Sequence, residues 1–176
     1  MIKTVCFTGH RPSKLPGGYD YNSDKNKELS YELEKEILIA ISKGATHFIC
    51  GGALGVDQIA FNVLKGLRDN GCNITIEIAI PFKLQYSNWI EESKKIYFQQ
   101  LESADKLTFV DKINEYNNDF PFDVYHPVKM QQRNKYMVDN SDLIIAVWDG
   151  TQGGTYNCIK YAQKTNKPIA VINKIF

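Results

Sequence analysis

The stretch from Phe48 to Ala60 constrains the fold of this chain more than any other. An apolar run that ends at Cys50 is followed directly by Gly51, Gly52 and Gly55 and then by the first turn of a helical pattern. Amides at a helix N-terminus lack intrahelical partners and carry partial positive charge, and glycines allow an anion to approach them closely. This junction therefore predicts a phosphate-binding corner.

The rest of the chain repeats the same alternation of strand and helix. Apolar runs of strand length cover residues 3–8, 46–50, 74–80, 106–110, 142–148 and 168–172, and helical patterns separate them; Asp24 is expected to cap the first helix. Such alternation requires right-handed crossovers and hence a mainly parallel sheet. We predict an α/β fold, a Rossmann-like three-layer sandwich of about six strands. Residues 1–176 should form a single domain with an irregular insertion near residues 111–127.

Chemically useful residues follow three of the predicted strands, after Thr8, after Cys50 and after Trp148. In parallel sheets ligands bind outside the carboxyl ends of the strands, where the strand order reverses, so we expect these ends to share one cleft. Arg133 and Asn134 lie near the start of a predicted helix that could face it. The candidate ligand-binding residues are Thr8, Gly9, His10, Arg11, Gly51, Gly52, Ala53, Gly55, Asp57, Arg133, Asn134, Asp149, Gly150, Gly153, Gly154 and Thr155.

Plainer interpretations remain open for the same residues. Gly-Gly and Asp-Gly pairs are common in turns, so the glycines could serve only tight turns and close packing. Arg133 and Asn134 could occupy a solvated helix face. Asp57 could bind a ribose hydroxyl or simply favour the positive end of its helix.

Composition narrows the classes of partner. With 21 basic and 20 acidic side chains the formal net charge is +1, so we expect neither nucleic acid nor a membrane as a partner. No apolar run approaches the length of a membrane span, and the four cysteines lack CxxC spacing, which favours a cytoplasmic location. The histidines lack neighbouring ligands, so no metal site is predicted. The glycine run lacks the Lys-Ser or Lys-Thr pair of a P-loop.

Four motifs together resemble the YpsA-like branch of the SLOG superfamily. They are Thr8-Gly-His-Arg-Pro12, Cys50-Gly-Gly-Ala-Leu-Gly-Val-Asp57, Arg133-Asn134 with Met137-Val-Asp139, and Trp148-Asp-Gly150 with Gly153-Gly-Thr155. The resemblance covers nearly the whole chain. It implies a Rossmann-like sheet that binds a nucleotide or a nucleotide-derived phosphorylated small molecule, with a sensing or regulatory role. No cofactor is established by it, and a homo-oligomer is left open.

Two related branches supply alternative functions. The DNA-processing protein DprA carries a similar glycine run but has histidine where this chain has Phe61, which weakens the alternative of single-stranded DNA binding. LOG-type phosphoribohydrolases release a base from nucleoside monophosphates with a glutamate where this chain has Cys158. In the alternative of a nucleotide N-glycosidase, Asp57 or Asp149 would be the catalytic candidates.

Overall fold

The computed structural model describes residues 2–117 and 119–176, and the described residues contain a six-stranded, wholly parallel sheet. The strands are short and mostly apolar, which suits a sheet covered on both faces. The strands are β1 Thr4–Gly9, β2 His47–Cys50, β3 Thr75–Ile80, β4 Lys106–Phe109, β5 Leu143–Val147 and β6 Ile169–Ile172, and their order across the sheet is β4-β3-β2-β1-β5-β6. The predicted Rossmann-like α/β fold is confirmed.

Helices cover both faces of the sheet. They are α1 Asp24–Ser42, α2 Val56–Asp69, α3 Glu91–Ser103, α4 Asn114–Asn117, α5 Pro127–Asp139 and α6 Gly154–Lys164, with short 3-10 turns at Pro12–Lys14 and Val110–Lys112. One apolar cluster joins α1 and α2 to one face of the sheet, and a second joins α5 and α6 to the other. None of the helices in the described ranges combines the length and apolar character that crossing a bilayer requires.

The strand order reverses between β1 and β5. From β1 the chain adds β2, β3 and β4 toward one edge, and then returns to place β5 on the other side of β1. The register pairs Gly9 with Val147, so the residues that follow β1 lie beside those that follow β5. A crevice forms at such a reversal because the connecting helices diverge to opposite faces of the sheet.

The cap of the first helix differs from the sequence prediction. Ser23, not Asp24, caps α1: the Ser23 hydroxyl accepts a hydrogen bond from Asn26 N at 3.3 Å, and Asp24 is the first helical residue. The Asp24 carboxylate, in the first turn, still interacts favourably with the positive end of the helix dipole. Helix α5 begins at Pro127, whose fixed φ suits the first helical turn.

The insertion near residues 111–127 is tied to α5 by a buried ion pair. Lys129 Nζ lies 3.0 Å from Asp111 Oδ2 and donates to Pro121 O at 2.6 Å, while Asp123 N donates to the same Asp111 oxygen at 2.9 Å. The segment includes the one-turn helix α4, too short to show a period in sequence. Residue 118 of the predicted insertion lies outside the described residues.

Candidate functional site

A cleft of about 270 Å³ opens at the carboxyl ends of β1 and β5. The segment after β1, the first turn of α2, the middle of α5 and the start of α6 form its walls. Among the predicted site residues, Gly51, Gly52, Gly55, Asp149 and Gly150 lie behind or beside the wall. The others line the cleft: Thr8, Gly9, His10, Arg11, Ala53, Asp57, Arg133, Asn134, Gly153, Gly154 and Thr155, joined by Phe7, Ser13, Lys14 and Met130.

In the first glycine corner, residues 51–55 between β2 and α2, backbone donors bind other parts of the protein. Several of its amides, which a free helix N-terminus would offer to a ligand, already donate to protein oxygens. These hydrogen bonds run from Ala53 N to Asp57 Oδ2 at 3.2 Å, from Gly55 N to Tyr21 Oη at 3.3 Å, and from Val56 N to His10 O at 3.3 Å. Protein oxygens therefore already occupy three of the donors at this corner.

The glycines of this corner are required by close packing. Gly52 has φ +62° and a Cβ at that position would lie 2.8 Å from Ile78 Cγ2, while Gly55 has φ +92° and faces the backbone carbonyl of His10. Any side chain at either position would be strained and would also clash. The packing interpretation accounts for these two glycines.

Arg133 joins the first corner to the cleft. Its Nη1 donates to Gly51 O and lies 3.6 Å from Asp57 Oδ2, and its Nε donates to Asn134 Oδ1 at 3.0 Å. Arg133 is only 6% exposed and Asp57 8%. The pair therefore fixes α5 against the corner and compensates the one acidic side chain in the cleft wall.

The second glycine corner, residues 149–155 between β5 and α6, is organised by the Asp149 carboxylate. Asp149 Oδ1 lies 2.7 Å from His10 Nε2 and accepts hydrogen bonds from Thr151 N at 2.9 Å and from Thr151 Oγ1 at 2.7 Å. Burial acts to raise the pKa of Asp149, but the bonds from Thr151 and His10 outweigh it and lower the pKa to about 2. The carboxylate stays ionised and holds the turn.

The N-terminus of α6 is open toward the cleft. Gly153 precedes the helix and provides no capping side chain, and the amides of Gly154, Thr155 and Tyr156 have no acceptor within the described part of the chain. A Cβ at Gly154 would meet nothing within 4 Å. Unpaired amides at the positive end of a helix are a general anion-binding arrangement.

Two further cations, Arg11 and Lys14, line the same cleft. The exposed Arg11 side chain has no hydrogen-bond or ion-pair partner in residues 2–117 and 119–176, and partial desolvation and then the charge of Arg133 lower its pKa. Lys14 Nζ donates to Thr151 Oγ1 at 3.0 Å and so lies against the second glycine corner. Sequence reasoning missed Lys14 because only the 3-10 turn at Pro12–Lys14 carries it to the second corner.

The fold and the cleft define the class of protein: a Rossmann-like α/β protein with a basic cleft at the point where its strand order reverses. The model of the YpsA family, described as the YspA SLOG family, matches residues 5–174. The chain belongs to this family, and the resemblance seen in its motifs is confirmed.

Two bacterial relatives show how far the sequence similarity extends. The chain is 42% identical over 120 residues to the uncharacterized SPbeta prophage-derived protein YoqJ of Bacillus subtilis, covering 67% of this chain and 70% of that protein. It is 30% identical over 154 residues to the UPF0398 protein BH1768 of Halalkalibacterium halodurans, covering 88% and 76%.

Similar solved structures belong to DNA processing protein A. The protein from Helicobacter pylori, described for its single-stranded DNA binding mode, superposes with a TM-score of 0.58 at 21% identity. The Streptococcus pneumoniae protein, DprA, gives 0.60 at 14% identity. The two superpositions cover 96% and 97% of this chain, respectively. They cover only 64% of the Helicobacter pylori chain and 50% of the Streptococcus pneumoniae chain. At such identities the likeness shows a shared fold.

Proposed function

We propose that this protein binds a nucleotide or a nucleotide-derived phosphorylated small molecule, with a phosphate at the N-terminus of α6. The open amides of Gly154 and Thr155 carry the proposal, because they face a cleft that also contains the unpaired guanidinium of Arg11. Lys14 adds a second cation beside them. Amides and an arginine fork match phosphate oxygens in geometry and charge. We include a sensing or regulatory role in this proposal.

The balance of charge in the cleft supports an anionic ligand. Arg11, Lys14 and Arg133 line it, whereas among the described residues Asp57 is its single acidic lining residue and is already paired with Arg133. The chain as a whole has a formal net charge of only +1, so this excess is local. A local excess of positive charge in a partly desolvated cleft concentrates anions without drawing the whole protein onto nucleic acid.

The substitution Gly154→Asp tests the proposal by calorimetric titration with adenosine 5′-monophosphate and with pyrophosphate at low salt. The new carboxylate would occupy the phosphate position and repel the ligand, so both affinities should fall by about tenfold or more. Stability should be kept or slightly increased, because an acidic residue in the first turn favours a helix. Thermal melting checks that the fold is intact.

Gly66→Asp is the matched control. Gly66 lies within α2, outside the cleft, and a Cβ there also meets nothing within 4 Å. It adds the same charge to the protein without touching the site, so binding should be unchanged. Equal losses in both variants, or no binding by the unsubstituted protein, would contradict the proposal.

Hydrolysis of an N-glycosidic bond is a second candidate, favoured by one observation. His10 is 5% exposed, lines the cleft and is oriented by Asp149 at 2.7 Å, which is the arrangement of a base held by a carboxylate. Asp57 is the other carboxylate at the cleft. Cys158, at the position of the LOG glutamate, is buried, and burial raises the pKa of its thiol to about 11.

A long incubation with adenosine 5′-monophosphate distinguishes the two candidates. Chromatography would detect adenine and ribose 5-phosphate if the bond is cleaved, and His10→Ala should then abolish the products. We expect the nucleotide to be recovered intact from both proteins. Release of base by the unsubstituted protein alone would establish the second candidate.

A further inference from the structure

A groove between α5 and α6 continues from the phosphate site. We call it the α5–α6 groove; its volume is about 570 Å³. Met130, Asn134, Gly153 and Gly154 line both this groove and the cleft, so the two spaces meet at the open end of α6. The cleft and groove together have the size of a typical small-molecule site, whereas the cleft alone is small for a whole nucleotide.

Positive charge extends along this groove. Lys135, Lys160 and Lys164 line it, and no acidic residue does so within the described ranges. Along α6, at 1.5 Å per residue, Lys160 lies about 9 Å and Lys164 about 15 Å beyond Gly154. Side chains on a helix point back toward its N-terminus, so the ammonium groups of Lys160 and Lys164 can approach a second phosphate on the same nucleotide.

One wall of the groove is apolar and partly aromatic. Tyr125, Pro127 and Met130 form it, and the ring of Tyr125 packs edge-on against Phe82 at 5.9 Å between centroids. Tyr125 is nevertheless 63% exposed. An exposed aromatic face held from one edge is a platform on which a planar base can stack.

We propose that the α5–α6 groove binds the base and sugar of a nucleotide carrying two separated phosphate groups, such as a nucleoside 3′,5′-bisphosphate. This rests on the proposed function: the first phosphate lies at Gly154 and Arg11, the base and sugar pack against Tyr125 and Met130, and the second phosphate binds Lys160 and Lys164. Lys164 ends α6, so the basic stretch accommodates one nucleoside between two phosphates rather than a longer strand.

Titrations with pyrophosphate, adenosine 5′-monophosphate and adenosine 3′,5′-bisphosphate test each part of the site in turn. Affinity should rise along this series, and the bisphosphate should bind about three- to tenfold more tightly than the monophosphate. The double variant Lys160→Gln with Lys164→Gln should remove that last gain and leave the other two affinities unchanged. Lys25→Gln with Lys27→Gln, two exposed lysines of α1, is the matched control.

Tyr125→Ala tests the base position independently. It should reduce the affinity for the monophosphate toward that for pyrophosphate, and leave pyrophosphate binding unchanged. Tyr31→Ala removes an equally exposed tyrosine, 60% exposed on α1, and should change neither affinity. Repeating the series with cytidine nucleotides shows whether stacking depends on the size of the base.

The outcomes separate this inference from the function on which it rests. Pyrophosphate binding that neither the nucleoside nor the second phosphate strengthens would overturn the groove assignment and leave the phosphate site standing. Absence of binding by every probe would overturn both. A short thymidine oligonucleotide that binds more tightly than the bisphosphate would overturn the one-nucleotide ligand in favour of a nucleic-acid strand.

Discussion

The two glycine corners look alike in sequence, and the structure uses them in opposite ways. Each follows a parallel strand and precedes a helix. At Gly51, Gly52 and Gly55 a Cβ would press against Arg133, Ile78 or the His10 backbone, whereas at Gly150, Gly153 and Gly154 it would meet nothing within 4 Å. In the first corner the glycines allow close packing of neighbouring residues. In the second they leave the start of α6 uncrowded.

Position in the sheet explains this difference. The first corner follows β2, where the strand order does not reverse, and α5 covers it through Arg133. The second follows β5 at the reversal of strand order, where the connecting helices diverge and leave the start of α6 uncovered. The same local motif is therefore closely packed beneath the cleft wall in one place and an uncovered helix end in the other.

The largest expected effect is on stability, when alanine replaces one glycine of each corner at positions with the same φ. Gly55 and Gly150 both have φ +92°, but only Gly55 is packed against backbone. Gly150→Ala should cost about 1 to 2 kcal/mol for the left-handed backbone alone. Gly55→Ala adds a clash with His10 O and should cost about 3 kcal/mol or more, or prevent folding. Urea denaturation of both variants measures the difference; equal costs would erase the distinction between the corners.

Breaking the buried ion pair between Arg133 and Asp57 should lower the free energy of unfolding by nearly as much. Arg133→Met leaves the Asp57 carboxylate without its cation and Gly51 O without its donor, so we expect a loss of about 3 kcal/mol in the free energy of unfolding. Adding Asp57→Asn should recover part of that loss, because the uncompensated charge is then gone. If Arg133→Met keeps full stability and only weakens ligand binding, Arg133 belongs to the ligand rather than to the corner.

Much of this fold was predictable from sequence, because apolar periodicity and turn residues are local signals. The strand and helix alternation gave the parallel sheet, and the reversal of strand order explains why residues after Thr8 and after Trp148 meet. Sequence could not distinguish the corners, since the side chains that crowd Gly52, those of Ile78, Tyr97 and Gln85, are distant from it in sequence. Sequence also could not decide between Ser23 and Asp24 as the cap of α1, because both residue types can cap a helix.

Acid should act on the second corner through Asp149. Hydrogen bonds lower the pKa of this carboxyl from 3.8 to about 2, so its contribution to stability is present above pH 4 and is lost as the pH falls toward 2. Asp149→Asn should therefore lower stability at neutral pH, by about 1 kcal/mol, and flatten the decline between pH 4 and pH 2. Thermal melts across that range compare the two proteins; parallel curves would mean that Asp149 does not hold the turn in its ionised form.

The smallest effect distinguishes a cation that binds ligand from one that only ties two loops together. Lys14 donates to Thr151 Oγ1 and lines the cleft, so Lys14→Gln removes a charge while keeping a hydrogen-bond donor. Stability should change by less than about 1 kcal/mol, as for other exposed polar contacts. Affinity for adenosine 5′-monophosphate should fall about two- to fivefold, and its dependence on salt should become shallower because one fewer charge faces the phosphate. Titrations at low and moderate salt measure both effects, with the exposed Lys27→Gln as control. An unchanged affinity and salt slope would leave Arg11 and the amides of α6 as the whole of the anion site.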